Sequence, residues 1–219
     1  MPDRPYKRAS PERRVNSGKM TQDRQPKTQH GVLVVISGPS GVGKSTICSQ
    51  LLKRLDDAYL SVSITTRHKG ENELDGQDYR FVSEEEFEER IKKGMLLEYA
   101  RVFGNLYGTP KDKVDEALAA GKTVILEIDV QGGRQIKAEY PDAVMIFILA
   151  TTQKELAQRL HGRARDEAAV RQQRLDQAGI EIAQAWKDYK NMVINDKLQQ
   201  AVDEVVKIIE AAKAAANGR

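Results

Sequence analysis

The chain has 219 residues, of which 40% are hydrophobic and 31% charged, and its formal net charge at pH 7 is +3. This length can bury a full hydrophobic core, and no apolar stretch approaches the roughly 20 residues of a membrane-spanning helix. The single cysteine, Cys48, excludes an intrachain disulfide, and the first 30 residues lack the apolar centre of a signal peptide. We therefore expect a cytoplasmic globular protein without membrane contact, built as one domain with a mobile insert.

Residues 1–30 differ from the rest of the chain in charge. They hold eight Lys or Arg against three acidic residues, a net charge of +5, so residues 31–219 carry −2. They are polar and nearly lack large apolar side chains, so burial cannot offset the entropy lost on ordering. We predict a disordered basic tail at 1–30 and a folded domain at 31–219. A basic tail could bind nucleic acid, but a solvated segment without that role is the interpretation that we favour.

A glycine-rich segment follows the first apolar run of the folded part. Residues 32–36 predict a buried strand, and Ile47, Leu51, Leu52 and Leu55 lie at helical spacing after the segment. Between them the pattern G-x-x-x-x-G-K-[ST] is present, and we call residues 38–46 the glycine loop: Gly38, Pro39, Ser40, Gly41, Val42, Gly43, Lys44, Ser45 and Thr46. An ordinary glycine turn is the alternative, but both flanks fit a nucleotide-binding loop.

Such a loop surrounds a polyphosphate with backbone N–H groups, and the N-terminus of the following helix adds partial positive charge. In this pattern Lys44 reaches the β- and γ-phosphates and the Ser45 hydroxyl binds Mg²⁺. The glycine loop therefore predicts a bound nucleotide but does not name the reaction.

Short strands and helices are predicted to alternate after the first helix. Strands are expected over 59–66, 79–82 and 96–102, with an exposed polar loop over 67–77. A capping box from Ser83 to Glu86 begins a helix that Gly94 ends. A second helix is predicted with Thr109 as N-cap and Pro110 in its first turn, and Gly121 ends it.

The second half of the chain predicts two more buried strands, at 124–129 and 143–149. Thr152 and Glu155 cap a helix that reaches residue 160, and a basic stretch then runs from Arg159 to Arg174. A long helix and a terminal helix follow, and we expect Trp186 and the terminal apolar stripe to lie in the core, the stripe being Val202, Val205, Val206 and Ile209. The alternation of helices and strands predicts an α/β fold with a parallel core sheet flanked by helices.

Six spaced segments together resemble guanylate kinase: the glycine loop and residues 63–67, 75–82, 97–99, 104–108 and 127–132. The resemblance runs from about residue 32 to the C-terminus. It implies a P-loop kinase that transfers phosphate from ATP to GMP with Mg²⁺, giving ADP and GDP. It also implies a GMP-binding insert at about 63–117 and an arginine-rich lid at about 154–176.

The resemblance also implies the residues that bind GMP: Ser63, Arg67, Tyr79, Glu98, Tyr107, Thr109 and Asp129. The role of Glu98 makes chemical sense, because guanine presents N1–H and an exocyclic NH₂ on one edge and a single carboxylate can accept from both. Adenine has an acceptor at N1, and a polar site left unpaired can discriminate by about 10⁴ or more.

The phosphate of GMP would be bound by Arg67, Tyr79 and Tyr107. The family usually has a second arginine three residues after the first, and this chain has Gly70 there. A bidentate contact would then be missing. Either Lys69 or His68 acts as a weaker donor, or the loop follows a different path.

Phosphate transfer from ATP to GMP needs no catalytic base, because the GMP phosphate is already largely ionised at neutral pH. The remaining task is to align two anions and to neutralise the charge on the transferring group. The resemblance assigns this task to Lys44, Arg67, Arg163 and Arg174, and it places Asn195 near the adenine.

Two other functions stay open at this point. A guanylate-kinase-like interaction module would keep the fold, bind phosphorylated partners and lack turnover; the intact glycine loop argues against it. A kinase of a phosphorylated sugar would fit the departure at Gly70, but Glu98 and Tyr107 suit a guanine nucleotide.

Overall fold

The computed structural model describes residues 31–161 and 168–218. The predicted tail, 1–30, and Arg163 lie outside the described residues. Within the described ranges the strands and helices are β1 (Val32–Ser37), α1 (Lys44–Arg54), β2 (Ala58–Leu60), β3 (Ile64–Thr65), β4 (Arg80–Phe81), α2 (Glu84–Lys92), β5 (Leu96–Val102), β6 (Asn105–Pro110), α3 (Lys111–Ala119), β7 (Thr123–Glu127), α4 (Val130–Glu139), β8 (Val144–Leu149), α5 (Gln153–His161), α6 (Ala168–Asp188), β9 (Asn191–Ile194) and α7 (Leu198–Asn217).

Five parallel strands form the core sheet in the order β2-β7-β1-β8-β9. Every residue of the central strand β1 is buried, because helices cover both faces of the sheet. Val34 and Ile36 face the cluster that includes α1 and α7, whereas Leu33 and Val35 face α3 and α4. The predicted α/β fold with a parallel core sheet is confirmed. The carboxyl ends of all five strands lie along one edge, where α/β proteins bind their ligands.

A second, four-stranded sheet lies within the predicted insert, and we call it the small sheet. Its order is β4-β3-β6-β5, with β3 and β4 parallel and the other pairs antiparallel. Ile64, Phe87 and Leu106 form its own small core, in which Phe87 comes from α2. The small sheet places residues of β3, β5 and β6 beside the carboxyl edge of the core sheet.

The single strand predicted over 59–66 is wrong, because the chain changes sheets within it. Residues of β2 pair with β7 at the edge of the core sheet, and β3 begins the small sheet. A uniform run of strand-forming residues cannot show such a change, since β7 and β6, with which the two parts pair, lie more than 40 residues away along the chain.

The prediction of Thr109 as a helix N-cap is also wrong. Thr109 lies in β6, and α3 begins at Lys111 after Pro110. The reason is that the Thr109 hydroxyl donates to the Glu98 carboxylate at 2.6 Å and so does not cap a helix.

The helix α6 turns a different face to the protein than expected. Trp186 is 67% exposed, so its prediction as a core residue is wrong, whereas the small residues Ala178 and Ala185 are buried. Small side chains let the helix approach its neighbours α4 and α5 closely. The terminal stripe on α7 is confirmed for Val202, Val205 and Ile209, while Val206 is partly buried. Within residues 31–161 and 168–218, no helix is both long and apolar enough to cross a bilayer.

Candidate active site

The glycine loop joins β1 to α1 at the centre of the carboxyl edge. Gly38, Gly41 and Gly43 have positive φ angles of 149°, 81° and 99°, which side-chain-bearing residues rarely adopt. Lys44 begins α1, and its Nζ donates to the carbonyl oxygens of Gly38 at 2.5 Å and Pro39 at 3.1 Å. The ammonium group therefore lies across the loop, where a phosphate chain can replace the two carbonyls as its partner.

Two polar side chains, Asn195 and Arg159, hold the backbone of the glycine loop through hydrogen bonds. Asn195 is buried, and its Nδ2 donates to the Val42 carbonyl at 2.8 Å. Arg159 of α5 donates to the same carbonyl at 3.2 Å and to the Asn195 carbonyl at 2.8 Å. A Cβ on Gly43 would lie 2.5 Å from Asn195 Nδ2, so only glycine fits there. Arg159 was not predicted as a site residue, and only its place in the basic stretch hinted at a role.

The Ser45 hydroxyl contacts a carboxylate, Glu127, that the sequence analysis did not predict as a site residue. The Ser45 Oγ donates to Glu127 Oε1 at 2.8 Å, and Glu127 ends β7 in register with Ile36 of β1. Mg²⁺ prefers oxygen ligands and takes only one or two from the protein beside phosphate and water. This pair of side chains fits such an ion. An acidic residue at the end of a predicted strand was the available signal.

The predicted guanine-binding carboxylate is enclosed by the small sheet and the start of α4. Glu98 in β5 is 4% exposed and pairs with the fully buried Thr109 in β6. Burial and then the charge of Asp129 raise the pKa of Glu98 to about 7, against the hydrogen bond from Thr109, which lowers it. A Cβ on Gly132 would lie 2.2 Å from Glu98 Oε2, so the helix can approach this carboxylate only with glycine at that position.

Asp129 and Ser63, the other two residues predicted to lie near the base, belong to different parts of the structure. Asp129 is the N-cap of α4, and its Oδ1 accepts from the Gly132 N–H at 2.8 Å. Ser63 precedes β3, in which Ile64 pairs with Gly108. The structure thus brings Glu98, Thr109 and Asp129 together, whereas Ser63 directly precedes β3, which lies on the other side of β6 from Glu98.

The predicted phosphate-binding residues form a second cluster. Arg67 Nε donates to the Tyr107 hydroxyl at 3.2 Å, and its Cζ lies 5.3 Å from the centre of the Tyr79 ring. Glu73, which was not predicted, accepts from both terminal nitrogens of Arg67 at 2.9 and 2.7 Å. Burial, followed by the charge of Glu127, raises the pKa of Tyr79 to about 12.

The loop around Gly70 closes on the same Glu73. The Gly70 N–H donates to Glu73 Oε2 at 2.7 Å, and Lys69 Nζ donates to the Glu73 carbonyl at 3.0 Å. Lys69, one of the two expected substitute donors, is therefore bound to backbone. Gly70 lies close to Arg67, since both donate to the same Glu73 oxygen.

We expect Gly70→Arg to lower the KM for GMP by about tenfold, because a guanidinium adds charge-assisted hydrogen bonds to a phosphate beside Arg67. Steady-state kinetics with GMP as the varied substrate measures this. Asn72→Arg is the matched control, since it adds the same charge at an exposed position of the same loop. An unaltered KM in Gly70→Arg would mean that the phosphate pocket is completed elsewhere.

Of the two predicted lid arginines, Arg174 lies within the described residues. It belongs to α6, and its Nη1 donates to Ser40 Oγ in the glycine loop at 3.0 Å. Its Cζ also lies 5.4 Å from the centre of the Phe103 ring, at the tip of the β5–β6 hairpin. Arg174 thus contacts both the glycine loop and the small sheet.

Comparison with known proteins points to one family. A guanylate kinase family model matches residues 30–212. The chain is 45% identical over 184 residues to the guanylate kinase of Carboxydothermus hydrogenoformans, covering 84% of this chain and 89% of that protein. It is 46% identical over 185 residues to the guanylate kinase of Clostridium tetani, covering 84% and 88%. A crystal structure of guanylate kinase from Anaplasma phagocytophilum matches with a TM-score of 0.72 and 31% identity, covering 85% of this chain and 88% of that chain.

Proposed function

The chain belongs to the guanylate kinase family, and we propose that its active site lies where the glycine loop, the end of β7 and the small sheet meet. The protein transfers the γ-phosphate of ATP to GMP, giving ADP and GDP. The observation that carries the assignment to this site is the buried Glu98, hydrogen-bonded to Thr109, beside a complete glycine loop. Neither an interaction module nor a sugar kinase is favoured, because relatives at 45–46% identity are guanylate kinases.

The donor side of the site is the glycine loop. Its backbone N–H groups and the N-terminus of α1 bind the triphosphate of ATP, and Lys44 leaves the carbonyls of Gly38 and Pro39 to contact the β- and γ-phosphates. Asn195 and Arg159 keep the loop in shape by holding the Val42 carbonyl. Asn195 can reach the adenine through its amide oxygen or its second Nδ2 hydrogen, since Val42 takes one of the two.

Ser45 and Glu127 would hold Mg²⁺ beside the donor phosphates. When bound, the ion neutralises charge that develops on the transferring group. Ser45 can turn its hydroxyl oxygen toward the cation while it donates a hydrogen bond to Glu127, and this bond keeps the hydroxyl oriented.

We expect Glu127→Gln to raise the Mg²⁺ concentration needed for half-maximal activity by about tenfold, because groups that orient a metal ligand typically contribute 10- to 100-fold in affinity. A magnesium titration of GDP formation at saturating ATP and GMP measures it. Glu116→Gln, at an exposed position of α3, is the control. Equal magnesium requirements in both variants would remove Glu127 from this role.

The acceptor side is the small sheet. Glu98 accepts from N1–H and the exocyclic NH₂ of guanine, with Thr109, Ser63 and Asp129 around the base. Arg67, Tyr79 and Tyr107 donate to the phosphate of GMP, and Glu73 keeps the Arg67 guanidinium oriented through its bidentate contact. An oriented, doubly charged phosphate needs no further base to attack ATP.

Residues 63–117 act as the GMP-binding insert and residues 154–176 as the lid in this proposal. Arg174, with Arg163, neutralises the transferring phosphate, and closure over both substrates limits ATP hydrolysis by excluding water. We place the protein in the cytoplasm, a reducing compartment that suits the buried free thiol of Cys48.

A coupled assay of ADP formation tests the function directly. Purified protein with ATP and Mg²⁺ is offered GMP, dGMP, AMP, UMP and ribose 5-phosphate in parallel. We expect turnover with GMP and dGMP and a kcat/KM for AMP that is lower by about 10⁴. Preference for ribose 5-phosphate would favour the sugar kinase, and the absence of GDP would favour the interaction module.

A further inference from the structure

The turn between β5 and β6 has an unusual residue at its tip. Val102 pairs with Asn105, so the turn consists of Phe103 and Gly104 alone. Both have positive φ angles, 47° and 85°, the pattern of a type I′ turn, which favours Asn followed by Gly. In the part of the chain that the structure describes, Phe103 is the only non-glycine residue with positive φ. A bulky side chain is strained in this conformation.

Burial does not explain this phenylalanine. Phe103 is 45% exposed, and none of the three core clusters among the described residues includes it. Its ring centre lies 5.4 Å from Arg174 Cζ, within the range of a cation–π contact. The same guanidinium donates to Ser40 Oγ at 3.0 Å. The ring and the glycine loop therefore hold one arginine between them.

We infer that Phe103 is a positioning residue for phosphate transfer, which holds the Arg174 guanidinium at the glycine loop. A solvated arginine side chain samples many rotamers, and an aromatic ring beside its guanidinium restricts them. Because Phe103 belongs to the small sheet and Arg174 to α6, the contact also links the acceptor-binding part to the lid. Backbone strain retained at an exposed residue fits a functional role. The inference rests on the proposed role of Arg174.

Phe103→Asn separates this role from a structural one, because Asn-Gly is the preferred sequence for this turn. We expect a melting temperature equal to or above that of the wild type, together with a kcat about fivefold lower. The KM for GMP stays the same, since the ring acts on Arg174 at the glycine loop and not on the acceptor. Phe103→Trp, which keeps an aromatic face, restores kcat, and Trp186→Ala serves as a control for loss of an exposed aromatic residue.

The same substitution in an Arg174→Ala background completes the test. Arg174→Ala lowers kcat, and adding Phe103→Asn to it lowers kcat no further, because the ring acts through the arginine. A wild-type kcat in Phe103→Asn, or the same fivefold loss in both backgrounds, would overturn the inference alone. An Arg174→Ala variant with wild-type kcat would overturn both the inference and the proposed role of Arg174.

Discussion

We expect replacement of Lys44 with methionine to lower kcat for GDP formation by about 10³, because in the proposed site the transferring phosphate loses a preorganised positive charge. Methionine keeps much of the length of the lysine stem and removes only the ammonium group. In the free protein that group donates to two carbonyls of the glycine loop, so its loss also frees Gly38 and Pro39. The KM for GMP changes little, since the proposed acceptor residues lie outside the glycine loop.

Steady-state GDP formation, with melting curves for both proteins, provides the measurement for Lys44→Met. Lys53→Met is the matched control, because Lys53 lies at an exposed position in the last turn of the same helix. A kcat for Lys44→Met within a factor of about ten of the wild type would contradict the role of this lysine.

The second large effect is expected from Glu98→Gln. Glutamine presents an amide N–H₂ where guanine needs a second acceptor, so N1–H or the exocyclic NH₂ of the base is left facing a donor. We expect kcat/KM for GMP to fall by about 10³ or more and the preference for GMP over AMP to be largely lost. The fold is retained, since the glutamine side chain keeps an oxygen that can accept from Thr109. Unchanged GMP kinetics would refute the assignment.

The pH dependence of GMP binding follows from the same carboxylate. In the proposed site only ionised Glu98 can accept from both guanine donors, and its pKa is raised to about 7 by burial and by Asp129. Below that pH the KM for GMP should therefore rise by about tenfold per pH unit. In Glu98→Gln this dependence disappears, so the variant serves as the control for other titrating groups.

Stability should respond to pH in the opposite direction. The ordinary pKa of glutamate is 4.5, so between that value and about 7 the folded protein binds more protons at Glu98 than the unfolded chain does. The contribution of Glu98 to stability is therefore present at low pH and lost as the pH rises through about 7, by up to about 3 kcal/mol. Urea unfolding at about pH 8 should show Glu98→Gln to be more stable than the wild type. Greater stability of the wild type at that pH would contradict the conclusion that burial destabilises the charged form of Glu98.

The sequence predicted those parts of the protein that depend on local order. The glycine loop is recognisable because its spacing, the strand before it and the helix after it are contiguous, and β1 and β8 are recognisable because strands buried on both faces are continuously apolar. Ser83 as a helix N-cap is confirmed for the same reason, since its hydroxyl accepts from Glu86 three residues away. The resemblance added the positions of Glu98 and Arg67, which no local pattern distinguishes from surface charges.

The parts that were not predicted depend on residues far away in the chain. Strand β6 contains a glycine and a proline, which argue against a strand, and it exists because β5 pairs with it. Glu127 and Arg159 gain their roles from Ser45 and Val42, which lie 82 and 117 residues away. Helix α4 was not predicted because Gly132 and Gly133 occupy its first turns. Glycine is needed at these two positions because Glu98 of β5 and Tyr189, just after α6, lie too close for a side chain.

These two glycines limit how the protein can be thermostabilised. Exchanging a helical glycine for alanine is a common engineering choice, since alanine favours the helix by about 1 kcal/mol. On α4 this choice fails, because the new methyl group would lie 2.2 Å from Glu98 Oε2 at Gly132 and 2.0 Å from the Tyr189 hydroxyl at Gly133. Gly179 of α6 is the site to engineer, since a methyl group there meets nothing within 4 Å.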